Sequence, residues 1–115
     1  HNIFLAHLDS ERFRTNFECE GSCNYAFNII LKEPNFVLRD RLESAMNSAV
    51  VEFRRGSSGG GNQMRQPYLK GIIANESWIN YPEVEHVHHF GWYVGNYPEL
   101  EENKITQLCD LLNNA

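Results

Sequence analysis

The sequence predicts an α+β fold in which helices cover a small antiparallel or mixed sheet. The chain has 115 residues, about the usual size of a single domain. Its hydrophobic pattern predicts helices and strands in alternation, with one long loop and no internal repeat. Because the strands are few and widely spaced, a small sheet with helices on one side is the favoured architecture.

The first elements are a helix, a strand and a second helix. Residues 3–8 have a helical spacing, but nothing before them could cap a helix, and we therefore expect an excised fragment or a missing upstream partner. Residues 24–31 are aromatic and β-branched, which predicts a strand that ends before Pro34. Residues 37–49 predict an amphipathic helix. Its apolar face consists of Leu38, Leu42, Ala45, Met46 and Ala49, and its charged residues Arg39, Asp40, Arg41 and Glu43 lie mostly elsewhere.

A second strand is predicted over Val50–Phe53, directly after this helix. Helices commonly end at a glycine, because glycine adopts the left-handed conformation that closes the last turn without strain. Val50 stands in that place and is unusual there.

The second half of the chain predicts a short helix, a strand and a final helix. Residues 82–90 form either a short helix or an irregular approach to the strand Gly91–Gly95. Pro98 stands at a first helical position, and the acids after it are typical of a first turn. These acids are Glu99, Glu101 and Glu102, and the apolar stripe of the helix is Ile105, Leu108, Cys109 and Leu112.

The charge of the chain narrows its partners. A net charge of −5 disfavours nucleic acid, whose binding needs a basic face that neutralises phosphates. No apolar run has the length of a membrane span and no signal peptide opens the chain, so we expect a soluble protein with no membrane partner. No acid lies between Glu52 and Glu76, so this stretch predicts a positive loop for a small anionic ligand. Its cations are Arg54, Arg55, Arg65 and Lys70.

The cysteines indicate a reducing compartment. Cys19, Cys23 and Cys109 are an odd and sparse set, which argues against a disulfide scaffold and predicts a cytoplasmic protein. Cys19 and Cys23 have the spacing of a metal knuckle, but no second ligand pair follows at a zinc-finger spacing. The neighbouring Glu18 and Glu20 are most simply a solvated acidic turn.

The stretch RRGSSGGGNQMRQPYLKG, residues 54–71, is the main candidate for a binding site. It matches neither a phosphate-binding P-loop nor the dinucleotide-binding glycine pattern. Its glycines would let the backbone approach a ligand closely, and its arginines suit phosphate or carboxylate. Its other hydrogen-bonding side chains include Asn62, Gln63 and Gln66. The alternative is a disordered surface loop with no ligand.

Three histidines form a second cluster. On a helix His86 and His89 would share a face, whereas on a strand His86 and His88 would do so. A metal site from so few local histidines has weak support, and hydrogen bonding to a ligand or packing beside aromatic residues is favoured. Trp78 and Trp92 are interpreted as core or interface residues.

The last third of the chain resembles part of a known enzyme family. The stretch VHHFGWYVGNYPELEENKITQLCDLL (Val87 to Leu112) resembles the C-terminal end of the DegT/DnrJ/EryC1/StrS group of sugar aminotransferases and dehydratases. There a strand near an aromatic–x–Gly turn is followed by YPxL and a last helix, as Tyr97, Pro98 and Leu100 stand here. The stretches LRDRLESAMNSAVVEFRRG and NQMRQPYL resemble the family's upstream helix, strand and active-site loop. Val50, where the family usually has glycine, departs from the pattern.

The polar GGGNQMRQP and the stretch FECEGSCNYAF are most similar to the dehydratase branch. The resemblance implies the small C-terminal domain of a fold-type I enzyme that depends on pyridoxal phosphate (PLP) or pyridoxamine phosphate. Its substrate would be a nucleotide-linked 4-keto-6-deoxyhexose, such as GDP-4-keto-6-deoxymannose, on the way to dideoxysugars of O-antigen. An upstream large domain would hold the cofactor, and the full-length enzyme would be a homodimer.

For residues 1–115, the resemblance implies a single small domain with no cofactor and no catalytic residue of its own. It would form one wall of the active site. The substrate-binding residues would be Arg54, Arg55, Asn62, Gln63, Arg65, His88 and His89.

Three alternatives stay open. The first is the small domain of an aminotransferase of the perosamine type, because the residue that separates the two chemistries would lie outside the chain. The second is a non-enzymatic metal-binding module built on the histidines with Cys19 and Cys23. The third is a partner-binding domain with an incidental flexible loop.

Overall fold

The computed structural model describes all residues from His1 to Ala115 and contains four α-helices and three strands. In chain order they are helix α1 (Asn2–His7), strand β1 (Ala26–Ile30), helix α2 (Phe36–Ser48), strand β2 (Arg54–Arg55), helix α3 (Pro82–Phe90), strand β3 (Gly91–Gly95) and helix α4 (Glu102–Asn114). Four short 3-10 helices lie between β2 and α3, at Ser58–Gly60, Gln63–Arg65, Pro67–Leu69 and Ser77–Asn80.

The three strands form an antiparallel sheet in the order β1-β3-β2, so the last strand of the chain lies in the centre. Ile29 of β1 and Arg55 of β2 both stand opposite Trp92 of β3. The prediction of an α+β fold is confirmed, and the sheet is the antiparallel one of the two alternatives.

One face of the sheet packs against the helices. Phe27, Ile29 and Trp92 are buried in a hydrophobic core that also holds residues of α1, α2 and α4. The four apolar residues predicted for the last helix are all buried there: Ile105, Leu108, Cys109 and Leu112. The opposite face carries the cross-strand row Asn28, Tyr93 and Arg54, and the first and last of these are exposed.

Burial raises the pKa of Cys109 to about 11, so this thiol is protonated and packs as a small apolar side chain. No helix of the structure is both long enough and apolar enough to cross a membrane.

The strand predicted over Val50–Phe53 is wrong, because β2 begins only at Arg54. Helix α2 ends instead in a closing motif in which the N–H of Val51 donates to the carbonyl of Met46 (2.8 Å) and that of Val50 to Asn47 (3.1 Å). This motif needs a left-handed residue, and Val50 has φ 57°. Val50 and Val51 therefore close the end of helix α2 and do not belong to a strand.

Two other predictions need correction. The last helix begins at Glu102 and not at Pro98, because Pro98 lies in a turn in which the N–H of Leu100 donates to the carbonyl of Tyr97 (3.1 Å). Glu43, expected away from the apolar face of its helix, is only 8% exposed. Its carboxylate accepts hydrogen bonds from the Trp92 indole (2.9 Å) and from Arg55.

We predict that Val50→Gly stabilises the protein. A β-branched residue in the left-handed region is strained by roughly 1–2 kcal/mol, part of which is offset by the larger entropy that glycine gives the unfolded chain. The free energy of unfolding in urea should rise by about 1 kcal/mol. Val50 is 91% exposed, so no packing is lost.

Val37→Gly provides the matched control, because Val37 is an exposed valine within α2 itself. There the substitution should destabilise the protein, by up to about 1 kcal/mol. Equal losses at the two positions would contradict the left-handed strain at Val50.

Candidate functional site

The candidate site is built on the segment 56–66, which we call the glycine-rich loop. It is compact, since two 3-10 helices, Ser58–Gly60 and Gln63–Arg65, occupy most of it. The N–H of Gly56 donates to the carbonyl of Gly91 (2.6 Å), which continues the pairing of β2 with β3. The loop starts at the sheet and then lies along α3.

Two glycines allow this close approach. A Cβ at Gly56 would lie 2.0 Å from the carbonyl oxygen of Val87, and a Cβ at Gly61 would lie 2.3 Å from Nδ1 of His88. Gly61 also has φ 54°, which side-chain-bearing residues rarely adopt. Close backbone approach was expected towards a ligand, and the structure shows it towards helix α3.

Asn62 fastens the loop to α3. It is only 1% exposed, and its polar groups are all directed at partners. Its backbone N–H donates to Nδ1 of His88 (3.0 Å), and its side-chain Nδ2 donates to Oε2 of Glu85 (2.8 Å). Its Oδ1 accepts from the N–H of Met64 (3.2 Å), which caps the following 3-10 helix.

Glu85 joins the predicted site residues to one another. Besides the bond from Asn62, its Oε1 accepts a hydrogen bond from Nε of Arg65 (2.7 Å) and lies 2.8 Å from Nε2 of His89. Burial by itself raises the pKa of this carboxyl. Hydrogen bonds from Arg65 and Asn62, the charge of Arg65 and the His89 contact outweigh it and hold the pKa below its usual 4.5. We call Glu85, Asn62, Arg65, His88 and His89 the Glu85 cluster.

The cluster fixes the tautomer of His88. Because Nδ1 accepts the backbone N–H of Asn62, the proton of the neutral ring is on Nε2. Burial, the charge of His89 and that of Arg65 lower the pKa of His88 below 6.5, against the opposing attraction of Glu85. His88 is therefore neutral near pH 7. Its Nε2 has no partner within the chain and is not buried.

The third histidine lies outside the cluster. Nε2 of His86 donates to the carbonyl of Leu31 (2.6 Å), and its ring packs beside Phe90. Residues 82–90 form helix α3, so the helical alternative is confirmed. His86 connects this helix to the end of β1 and not to the loop.

Arg65 lies over an aromatic ring. Its guanidinium carbon is 4.6 Å from the ring centroid of Trp78, a cation–π geometry. A cavity of about 500 Å³ opens beside the pair, and its lining includes Gln66, Lys70 and Ile73. Trp78, interpreted from the sequence as a core or interface residue, lies half-buried at this loop.

The paired arginines of β2 point to opposite faces of the sheet. Arg55 forms an ion pair with Glu43 of α2, although its side chain is 57% exposed. Arg54 forms no ion pair and lies beside Tyr93 on the outer face. The side chain of Gln63 is exposed and has one long hydrogen bond, to the carbonyl of Gly59 (3.5 Å).

The expected positive loop is therefore neutralised in part. Of its four cations, Arg55 and Arg65 are paired with Glu43 and Glu85, two acids from outside the acid-free stretch. Arg54 and Lys70 keep unpaired charges. The local charge is smaller than the sequence indicates, because the balancing acids come from neighbouring helices.

Four of the seven predicted site residues come together in one cluster, namely Asn62, Arg65, His88 and His89. Gln63 follows Asn62 at the surface of the same loop, while Arg54 and Arg55 lie on β2. Sequence reasoning missed Glu85 and Glu43, which organise the two arginine contacts. One signal was available for Glu85, since it precedes His88 and His89 at the helical spacings of three and four residues.

The residues that could hold a metal or a cofactor are few. The structure contains no group of three or more His, Cys, Asp or Glu side chains placed to hold a metal ion. PLP enzymes that form a Schiff base use a lysine whose setting favours the uncharged amine. The three lysines, Lys32, Lys70 and Lys104, are all exposed, so none fits that role.

Comparisons with known proteins place the fold. No protein-family profile and no curated protein matches the sequence. A solved structure of GDP-4-keto-6-deoxymannose-3-dehydratase with a trapped PLP-glutamate geminal diamine is similar, with a TM-score of 0.52 and 25% sequence identity. The match covers 76% of this chain but only 22% of that chain. The α+β fold is that of a small domain of a PLP enzyme, and membership of the group named above stays a prediction.

We predict that Gly61→Ala loosens the loop more than Gly59→Ala. Gly59 has φ 74° and ψ 10°, near the left-handed helical region, and a Cβ there meets nothing within 4 Å, whereas Gly61 has φ 54° and ψ −123°, outside that region, so alanine at Gly61 also adds backbone strain. At Gly61 it would displace His88 and leave the Asn62 N–H without its acceptor, at a cost of about 1–3 kcal/mol. Hydrogen exchange of the Asn62 amide should be at least roughly tenfold faster in Gly61→Ala than in Gly59→Ala. Equal rates would contradict the close contact.

We predict that acidification releases the loop. Because the folded pKa of His88 lies below 6.5, its stabilising neutral form is complete above pH 6.5 and is lost as the pH falls through the folded pKa. The lowered pKa of Glu85 acts in the same direction, below about pH 4.5. In an NMR titration, the change in the Asn62 amide chemical shift should have the same midpoint pH as the protonation of the His88 ring. An Asn62 amide that ignores the protonation of His88 would contradict the hydrogen bond.

Proposed function

We propose that the chain is the C-terminal small domain of a PLP- or pyridoxamine-phosphate-dependent nucleotide-sugar 3-dehydratase of the DegT/DnrJ/EryC1/StrS group. The substrate is a 4-keto-6-deoxyhexose linked to GDP, and the product leads to dideoxysugars of O-antigen. The parent protein is a cytoplasmic homodimer, and this domain forms one wall of its active site.

One observation carries the proposal. The fold matches part of a GDP-4-keto-6-deoxymannose-3-dehydratase that holds PLP, over 76% of this chain and at 25% identity. The motif resemblance rests on the residues after Val87, and it points to the same kind of enzyme. The chain spans 22% of the matched protein, so the activity of the whole enzyme is inferred here from a part.

The cofactor is assigned to another part of the parent protein. All three lysines of the chain are exposed, which does not suit the lysine of a Schiff-base enzyme. No catalytic residue is assigned to this domain. When bound in the parent enzyme, PLP or pyridoxamine phosphate would supply the electron sink for loss of the 3-hydroxyl.

The residues proposed to contact the substrate differ in whether their side chains already have partners within the chain. Arg54 is exposed and has no carboxylate partner, which suits a contact with the diphosphate. Gln63 and the unpaired Nε2 of His88 are free to donate to sugar hydroxyls. Of the other proposed contacts, Arg55, Asn62, Arg65 and His89 already bind carboxylates, so we expect them to act mainly by holding the wall in shape.

We predict that Arg54→Ala weakens binding of GDP-4-keto-6-deoxymannose to the full-length protein. Loss of one charged hydrogen bond corresponds to about 1.5–3 kcal/mol, or roughly a tenfold to hundredfold rise in Kd. Isothermal titration measures this directly, and product analysis with PLP and glutamate separates a 3-deoxy sugar from an amino sugar.

Arg41→Ala is the matched control for Arg54→Ala. Arg41 is exposed, lies on α2 and forms no ion pair, so the substitution removes the same charge elsewhere on the domain. Its Kd should equal that of the wild type. Equal affinity of the Arg54 variant and the wild type would remove Arg54 from the site. Absence of PLP binding by the full-length protein would refute the proposed function.

A further inference from the structure

We infer that Glu85 is a positioning residue for substrate binding, whose carboxylate holds the glycine-rich loop on helix α3. The inference rests on the proposed function in one respect, namely that the loop faces a nucleotide-sugar. The geometry of the loop is independent of the proposed function, because the contacts of Glu85 define it.

The carboxylate connects two parts of the loop to the helix. Oε2 accepts a hydrogen bond from the side-chain amide of Asn62 at the centre of the loop, and Oε1 accepts one from Nε of Arg65 near the end of the loop. The two loop partners, Asn62 and Arg65, are 23 and 20 residues away from Glu85 in sequence. No other side chain of α3 forms hydrogen bonds to more than one residue of the loop. His88 accepts a hydrogen bond from Asn62 alone.

The partners of Glu85 are all donors. An ionised carboxylate has only acceptor sites, and here it accepts hydrogen bonds from the Asn62 amide and the Arg65 guanidinium and lies within ion-pair distance of the His89 ring. A glutamine at this position would have one acceptor oxygen and one NH₂ group. That NH₂ would face either Asn62 or Arg65, two groups that also donate, so one contact must be lost.

The same contacts orient groups that face outwards. Arg65 is held at its Nε by Glu85 while its guanidinium lies over Trp78, so the side chain is fixed at two points. The Nδ1 of His88 is held by the Asn62 N–H, whose position depends on the Asn62 side-chain bond to Glu85. Glu85 thus acts on the binding surface through other residues, since its own oxygens are occupied.

The experiment compares Glu85→Gln, Glu85→Asp and Glu83→Gln in the full-length protein. Hydrogen exchange over residues 56–66 reports the loop, and steady-state kinetics with GDP-4-keto-6-deoxymannose, PLP and glutamate report KM and kcat. We expect Glu85→Gln to accelerate loop exchange and to raise KM, each by roughly tenfold, with kcat changed by less than about twofold. Glu85→Asp keeps the charge and should restore part of both effects.

Glu83→Gln is the matched control, because Glu83 lies on the same helix but pairs with Arg14 at an exposed position. It should leave both readouts unchanged. Unchanged loop exchange in Glu85→Gln overturns the inference, and so does a loosened loop with an unchanged KM. If the wild type does not process the sugar, the proposed function fails, while loop exchange still decides whether Glu85 holds the loop.

Discussion

The direct junction between helix α3 and strand β3 is the constraint on which the rest of the structure depends. The helix ends at Phe90 and the strand begins at Gly91, with no residue between them. The carbonyl of Phe90 accepts the N–H of Leu31 after β1, and that of Gly91 accepts the N–H of Gly56 after β2. Two consecutive carbonyls therefore hold both outer strands. Gly56 begins the glycine-rich loop at this point, and the bonds of Asn62 to His88 and Glu85 then place the loop along the helix that leads into the central strand.

This arrangement explains why the acid-free stretch can be buried in part without a large charge penalty. Two arginines, Arg55 near the start of the stretch and Arg65 in its middle, are each paired with a carboxylate from a different helix, Glu43 of α2 and Glu85 of α3. Each carboxylate also accepts a neutral donor, the Trp92 indole or the Asn62 amide, so its remaining acceptor sites are used as well. A half-buried ion pair is stable only when such extra hydrogen bonds accompany it.

Periodic features of the sequence were sufficient for most of the fold. The strand Gly91–Gly95 and the buried stripe of α4 follow from patterns that lie within one element, and the structure confirms them. Features that depend on two elements could not be predicted. The burial of Glu43 depends on which indole lies opposite its helix, and the order of the loop depends on contacts with a helix some twenty residues away. A glycine-rich composition indicates local freedom, but it cannot indicate that a neighbouring backbone occupies the space of the missing side chains.

The state of His88 limits what this surface can recognise. Its Nδ1 is occupied by the Asn62 N–H, and its lowered pKa keeps the ring neutral near pH 7, so the accessible Nε2 is an uncharged donor. Arg65, whose positive charge acts on His88, is already balanced by Glu85. An uncharged donor of fixed direction suits a hydroxyl or a carbonyl oxygen more than a phosphate, for which a cation is the stronger partner. In the proposed enzyme the Glu85 cluster would therefore face the sugar, and the unpaired charge of Arg54 would be left for the diphosphate.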